Sequence, residues 1–528
     1  DTIELVYGDD SLDVEYGNTD DQTSISLMNN SPGDNTHLAL TITDPALNID
    51  PTGADVWVFN LASADTSTHQ IFFGNNGTNV HPVTGQGINL AEMGDMGCSA
   101  NCALHNSTGS ALSYVTGLRS VIMTETASNT GVFESWATNG TSQMVTVDEV
   151  GGDKKVVFTY GGNSADMIIT YSDATISMDA GPGDWQAGVS ATITITDPDS
   201  NKYPTVAETL AIGDETYAIP TIKIGNPFTL KYGSNGTNSQ LNSGDSNHNN
   251  GVQVGFDTGH PGFTLNIYNT TDDSERLRII HSANTGAAVA TDGCCWGGPQ
   301  THTWINVTTG TERQDLINLP GTVVLNYDVS GPAGDLKSTA VAVYVTDAGI
   351  NSTNNVAGVI GVNTAGNVRA GVFDLDDGSY WIKSADVSEK QTFSSARSAG
   401  SGVDAHGGDE FVAIAFKITH PQGYHLNATH DYAIAADFCN FDQDNGSNVH
   451  NCIYRLEAEE TGDNTGVFTG TVEYVMLNNS TAAGTDNGEA SGNDEEVEAF
   501  MTNNGDALAV VLMSTGDDVR VTFNDTDA

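Results

Sequence analysis

Two stretches decide the fold: LTITDPALNIDPTGADVWVF at residues 40–59 and ITITDPDSNKYPTVAETLAI at residues 193–212. Each opens as a β-branched strand and breaks at Asp-Pro. Proline fixes the bend and removes a backbone donor, so the strand stops there. A weaker copy, FKITHPQGYHLNATHDYAIA at 416–435, has His420 in place of the aspartate. A second motif answers the first. It reads TETASNTGVFES at 124–135, NVRAGVFDLDDG at 367–378 and EETGDNTGVFTG at 459–470. Along the chain the order is DP, GVF, DP, GVF, HP, GVF, and such self-similarity marks a repeat architecture.

Working outward, the rest of the chain has the same texture. THLALTITD, SATITITD, TVVLNYDV, STAVAVYVTD, EFVAIAFKI and ALAVVLM are short apolar or alternating runs rich in Val, Ile and Thr. Gly, Asn, Asp and Pro bound them, as expected for strands. No long helical periodicity appears. The expectation is an all-β chain of tandem immunoglobulin-like β-sandwich domains with long loop insertions. Three units follow from the alternation: 1–171, 172–384 with a long insertion, and 385–528. VFTYGGNSADMIITYSDATISMD (157–179), IELVYGDDSLDVEY near Ile3 and VRVTFNDTDA at the far end share a pattern. Both ends therefore read as junctions to further domains.

The 528 residues carry 68 Asp plus Glu against 17 Lys plus Arg, a formal net charge of −51. That balance argues against nucleic acid, which needs cationic side chains, and against an anionic membrane surface. It favours a salty setting or bound cations that offset self-repulsion. No apolar run is long enough to span a bilayer as a helix.

Six cysteines fall in pairs, one pair per expected unit: Cys98 with Cys102, Cys294 with Cys295, and Cys439 with Cys452. The first and third pairs are expected as local disulfides. The adjacent Cys294 and Cys295 form either a vicinal bridge or two longer-range ones. Asn-x-Ser/Thr acceptors are frequent, including Asn76, Asn106, Asn139, Asn235, Asn269, Asn306, Asn351, Asn427, Asn445 and Asn478. Oxidised cysteines with glycan acceptors point to an extracellular protein.

Candidate chemistry is sparse. The turns after the Asp-Pro strands offer oxygens from Asp44, Asn48 and Asp50, and from Asp197, Asp199 and Asn201. Ca²⁺ takes six to eight oxygens and suits such turns. The competing reading is an Asx turn capping its own backbone. Two acidic loops are better calcium candidates: Asp374, Asp376 and Asp377 before Gly378, and Asp442, Asp444 and Asn445 before Gly446. Neither continues to the bidentate glutamate of an EF-hand. His420, His425 and His430 recur near Cys439 but lack the spacing of a copper site. No nucleophile elbow, P-loop or zinc-protease motif occurs. Carboxylate pairs are too abundant for any one to signal a glycosidase.

The I-T-D-P strand turn, the E-T-x-x-N-T-G-V-F segment and the acidic Asn/Thr-rich setting together resemble surface-layer proteins of ammonia-oxidising archaea. The resemblance implies secreted, glycosylated chains of immunoglobulin-like domains that assemble with copies of themselves into a two-dimensional lattice, with calcium in folding or lattice contacts. It implies a structural role and no enzymatic one. A negative pore would attract cations. The alternative from a different class is an adhesin or filament subunit joined by strand donation, with IELVYGDD and VRVTFNDTD as donated strands. A third is a secreted hydrolase with sandwich accessory domains, whose mark would be one desolvated carboxylate pair in a cleft.

Overall fold

The computed structural model describes residues 2–15, 20–60, 70–75, 97–98, 104–105, 120–142, 144–146, 153–229, 252–256, 266–269, 274–281, 302–312, 319, 322–346, 359–363, 370–374, 411–424, 430–442, 449–476, 508–513 and 519–525. The architecture is all-β, as the alternation requires. Strands form several mainly antiparallel sheets, and helix is confined to short turns.

In the first unit the Asp-Pro strand Leu40–Thr43 lies between strands Ser24–Leu27 and Val132–Glu134. The sheet continues through Ser120–Glu125 to Asp55–Asn60 and Gln70–Asn75. Strands Lys154–Tyr160 and Asn163–Ile169 form a hairpin that covers its open face. Val156, Phe158 and Tyr160 from one strand, and Met167 and Ile169 from the other, join Trp57, Phe59 and Phe133 in one buried core. Alternate residues of a strand point to one face, so each strand delivers every second side chain.

The second unit repeats this register residue for residue. Val132 pairs with Thr43, and Val467 with Thr196. Val56 pairs with Thr124, and Thr209 with Glu459. Ile25 pairs with Ile42, and Ile176 with Ile195. The second Asp-Pro strand, Ala191–Thr196, is therefore clamped by the third Gly-Val-Phe segment, not by the second. This pairing crosses the expected boundary between residues 384 and 385. The segments 172–384 and 385–528 share sheets, so they are one body rather than two successive units.

The reason lies in what is inserted between the halves. Strand His430–Asp442 is apolar on both faces. Tyr432, Ile434, Ala436 and Phe438 enter one core, while Ala435, Cys439 and Phe441 enter another. The first core is roofed by a sheet of Val252–Phe256, His302–Glu312, Phe411–Thr419, Ala340–Thr346 and Val359–Asn363. The second core is that of the repeat itself, with Ile193, Ile195, Leu210 and Phe468. The layer containing His430–Asp442 is thus buried from both sides, which makes the insertion and the second repeat a single stack of sheets.

The second Gly-Val-Phe and the His-Pro copy belong to this inserted sandwich. Gly371 sits inside strand Ala370–Asp374, paired with Tyr327. His420 caps no turn as an aspartate would. Its Nε2 meets Thr303 Oγ1 at 2.7 Å, its Nδ1 meets the Leu336 carbonyl at 2.9 Å, and it stacks on Tyr424.

The buried layer carries charge at two places. Arg455 pairs with Asp437 through both guanidinium termini and donates from Nε to the Ser274 carbonyl at 2.7 Å. Burial pushes the Asp437 carboxyl up to about 6, against the pull of Arg455. Arg276 donates to the carbonyls of Ala211, Ile212, Asp214 and Tyr217. The disulfide Cys439–Cys452 joins this strand to its neighbour Val449–Arg455, as expected. Cys102, Cys294 and Cys295 lie outside the described residues, as does the side chain of Cys98.

Candidate functional site: the Asp-Pro turn and its Gly-Val-Phe clamp

Each Asp-Pro turn folds into one 3-10 turn, Pro45–Leu47 or Pro198–Ser200, with the aspartate as N-cap. Asp44 Oδ1 accepts from the Ala46 N–H at 2.8 Å, and its Oδ2 accepts from the Tyr160 hydroxyl at 2.5 Å. Asp197 Oδ1 accepts from the N–H groups of Asp199 and Ser200, and its Oδ2 from the Ser200 hydroxyl at 2.5 Å. Short polar side chains satisfy orphan N–H groups at such a start. Both oxygens of each aspartate are thus occupied by protein donors, which is the capping reading of these residues.

A glutamate that the motif reading passed over holds the clamp. Glu125 Oε1 accepts from the N–H of Thr130 and of Gly131, and its Oε2 accepts from the Asp55 N–H. Glu460 does the same for Thr465, Gly466 and Glu208. The Gly131 carbonyl then accepts from the Asp44 N–H, and the Gly466 carbonyl from Asp197, both at 2.8 Å. Gly131 has φ +62° and Gly466 φ +58°, and a Cβ on either would lie 2.9 Å from the proline Cα. Only glycine fits there. Phe133 and Phe468 plug the cores beneath. The signal was present in the sequence: a glutamate stands six residues before Gly131 and Gly466, while Ala365 holds that place before Gly371.

Asn48 and Asn201 bridge the two loops, donating to Asn129 Oδ1 at 2.8 Å and Asn464 Oδ1 at 3.0 Å. Their own Oδ1 atoms are buried without a donor among the described residues. So are Asp55 Oδ1 and Glu208 Oε2, which occupy matching places in the two units. The other Asp55 oxygen accepts from the N–H groups of Ile49 and Asp50, directly after Asn48. Each clamp therefore presents two buried acceptor oxygens with no hydrogen-bond donor among the described residues. Leaving such groups bare is costly, so a water or cation from outside the chain is the natural complement. Asp50 Oδ1 accepts from the N–H and the hydroxyl of Thr52.

The clamp of the second unit also faces the first unit. Asp199 Oδ2 accepts at 2.7 Å from the N–H of Ser172, the first residue of the second unit, and burial pushes its carboxyl to about 6. Asp199 Oδ1 is buried against Gly33, with no donor among the described residues. Lys202 reaches the Asp34 carbonyl at 2.9 Å and carboxylate at 3.3 Å within the seam. The His37 N–H donates to the Lys202 carbonyl, and its ring stacks on Tyr203 at 4.5 Å. Asn464 completes the contact by donating to the Met28 carbonyl.

Among the described residues no group of three or more His, Cys, Asp or Glu is placed to hold a metal. Of the two acidic loops, Asp376, Asp377, Asp444 and Asn445 lie outside the described residues, as do the side chains of Asp374 and Asp442. Asn139 is exposed in a tight turn, with Oδ1 accepting from the N–H and hydroxyl of Thr141. Asn76, Asn106, Asn235, Asn351, Asn427, Asn445 and Asn478 fall outside the described residues; Asn269 and Asn306 lie on strands. No helix among the described residues is long and apolar enough to cross a membrane.

No protein-family model matches the chain, and no curated protein does. Among solved structures, one described as a membrane-anchored protein from Corynebacterium diphtheriae is 10% identical. It covers 89% of this chain and 96% of its own, at a TM-score of 0.11, which carries no argument about fold or function.

Proposed function

We propose that this chain is a structural subunit of a self-assembling extracellular surface layer, a porous and strongly negative coat that attracts cations. The observation that carries the reading is the duplicated clamp. The same capped turn, glutamate hook and glycine closure occur twice in identical register, and the second clamp is locked onto the first unit through Lys202, Asp199 and Asn464. Such a unit resists deformation and lends itself to repetition, which suits a coat rather than a catalyst. The immunoglobulin-like class, the glycans and the surface location belong to the same proposal, through the resemblance noted above.

Calcium enters at named atoms. Asn48 with Asp55, and Asn201 with Glu208, would supply side-chain oxygens, with backbone and water completing the shell. The acidic loops at 374–377 and 442–445 are further places. The test is electron microscopy of the protein with calcium and again after chelation. Sheets that dissolve on chelation, and melting that ceases to respond to calcium in Asp55→Asn/Glu208→Gln, are expected. Sheets indifferent to chelation would remove calcium and keep the coat. Filaments or dispersed monomers under every condition would overturn the coat and favour the filament subunit.

A further inference from the structure

The seam between the units buries a lysine against a carboxylate. Lys202 follows Asn201 of the second clamp, and the residue at the same place in the first clamp is Ile49, which is exposed. The lysine is therefore no requirement of the clamp itself. Its Nζ donates to the Asp34 carbonyl at 2.9 Å and stands 3.3 Å from Asp34 Oδ1, one bond from the carboxyl carbon. The two side chains are only 8% and 11% exposed. Backbone bonds hold both partners in place. The Lys202 carbonyl accepts from the His37 N–H at 2.7 Å, the Lys202 N–H donates to the Ser200 carbonyl at 3.1 Å, and the Thr36 hydroxyl donates to the Asp34 carbonyl at 3.3 Å. An acid stands beside them. Asp199 Oδ1 packs on Gly33, the residue before Asp34. Burial pushes the Asp199 carboxyl up to about 6, against the pull of Lys202.

A buried ion pair is a costly way to hold such a contact, because both charges are stripped of water. One condensation removes both. The ammonium passes a proton to the Asp34 carboxylate, and the neutral amine attacks Cγ. The Nζ–Cγ bond forms, one Cγ–O bond breaks, and the hydroxyl leaves as water with a second Nζ proton. Ion pair becomes amide plus water, so atoms and charge balance. Nothing is oxidised or reduced, and no co-reactant is needed. Burial favours the neutral amide over two charges, and a held contact replaces a chance encounter of the two groups. Asp199, able to take and return a proton near neutral pH, is the neighbouring acid suited to relay it.

We propose that Lys202 and Asp34 condense into an isopeptide bond, Nζ to Cγ, which ties the two units together covalently, with Asp199 relaying the proton. The ion pair is the state before that step. The bond joins residues 168 apart in sequence. Like a disulfide closing a long loop, it restricts the unfolded chain as well as the seam. The inference does not depend on the coat, since the tie lies within one chain.

The test is the mass of the full chain, made in a host that adds no glycans, then folded, reduced and denatured before weighing. A mass short by one water is expected. Proteolysis should then release a branched peptide that joins the segment around Asp34 to the segment around Lys202. Lys202→Arg keeps the cation but offers a guanidinium that does not give up its proton, and it should show the full mass. Asp34→Ala should do the same. Asp199→Asn should slow the loss of water during refolding by about a hundredfold. A folded parent that keeps its full mass, with no branched peptide, would overturn the proposal. So would a deficit that survives in Lys202→Arg, because the water would then have been lost elsewhere in the chain. Condensation of Asp199→Asn at the parent's rate would overturn the relay.

Discussion

At the scale of single residues, the clamp turns on one atom that is missing. Gly131 and Gly466 need both a left-handed backbone and the absence of a Cβ, and the proline opposite cannot retreat without opening the turn. Gly131→Ala and Gly466→Ala should each cost about 1–3 kcal/mol, the range for a strained backbone position, measured by denaturant unfolding. A loss below about 0.5 kcal/mol would mean that the loop yields and the closure is loose. A second residue reports on charge. Burial pushes the Glu215 carboxyl from 4.5 to about 7, and Asp431 and Asp214 add to the rise. Between those values the folded chain holds a proton that the unfolded chain has released. Stability from this group is therefore full below about pH 4.5 and is lost as pH rises through 7. Glu215→Gln should flatten that decline in melting temperature, and an unchanged slope across pH 4.5–7 would assign it to other groups.

At the scale of elements, what could be read from sequence was whatever repeats locally. Alternation gave the strands, Asp-Pro gave the turn, and Gly-Val-Phe gave the strand beside it. Partnering was not legible by order along the chain, because the repeat is interrupted by a sandwich that carries look-alike motifs. The discriminating residue was Glu125 or Glu460, whose carboxylate makes the closure possible; the copy at Gly371 has no counterpart. The capping role of Asp44 and Asp197 was one of two readings of those turns, and geometry favours it. Asp55 and Glu208 stand outside every motif, and Tyr160 meets Asp44 only across the fold, 116 residues away. The doubly buried strand His430–Asp442 hid similarly: a run apolar on both faces reads as any core strand. Its charge at Asp437 needs Arg455. Arg455→Met should cost about 3–5 kcal/mol, since it leaves a buried carboxylate unpaired. Asp437→Asn in the same chain should recover part of that loss. No recovery would mean that Arg455 acts mainly through the carbonyls of Ser274 and Glu275.

At the scale of the whole molecule, a formal charge of −51 acts on everything built from these parts. Repulsion among exposed carboxylates favours expansion, and salt screens it over about 8–10 Å at moderate ionic strength. The melting temperature should therefore climb between about 0.05 and 0.5 M NaCl. The seam between the units should respond differently, because the Lys202 ammonium and the Asp34 carboxylate are both largely buried. Salt reaches such a pair poorly. Lys202→Met should lower the melting temperature by a similar amount at both salt concentrations, while the parent and the variant rise together. If the loss disappeared at high salt, Lys202 would be acting as one more counter-charge to an acidic surface. If it persists, the two units are held by a seam that high salt does not loosen, and the acidic exterior is free to vary in charge without parting them.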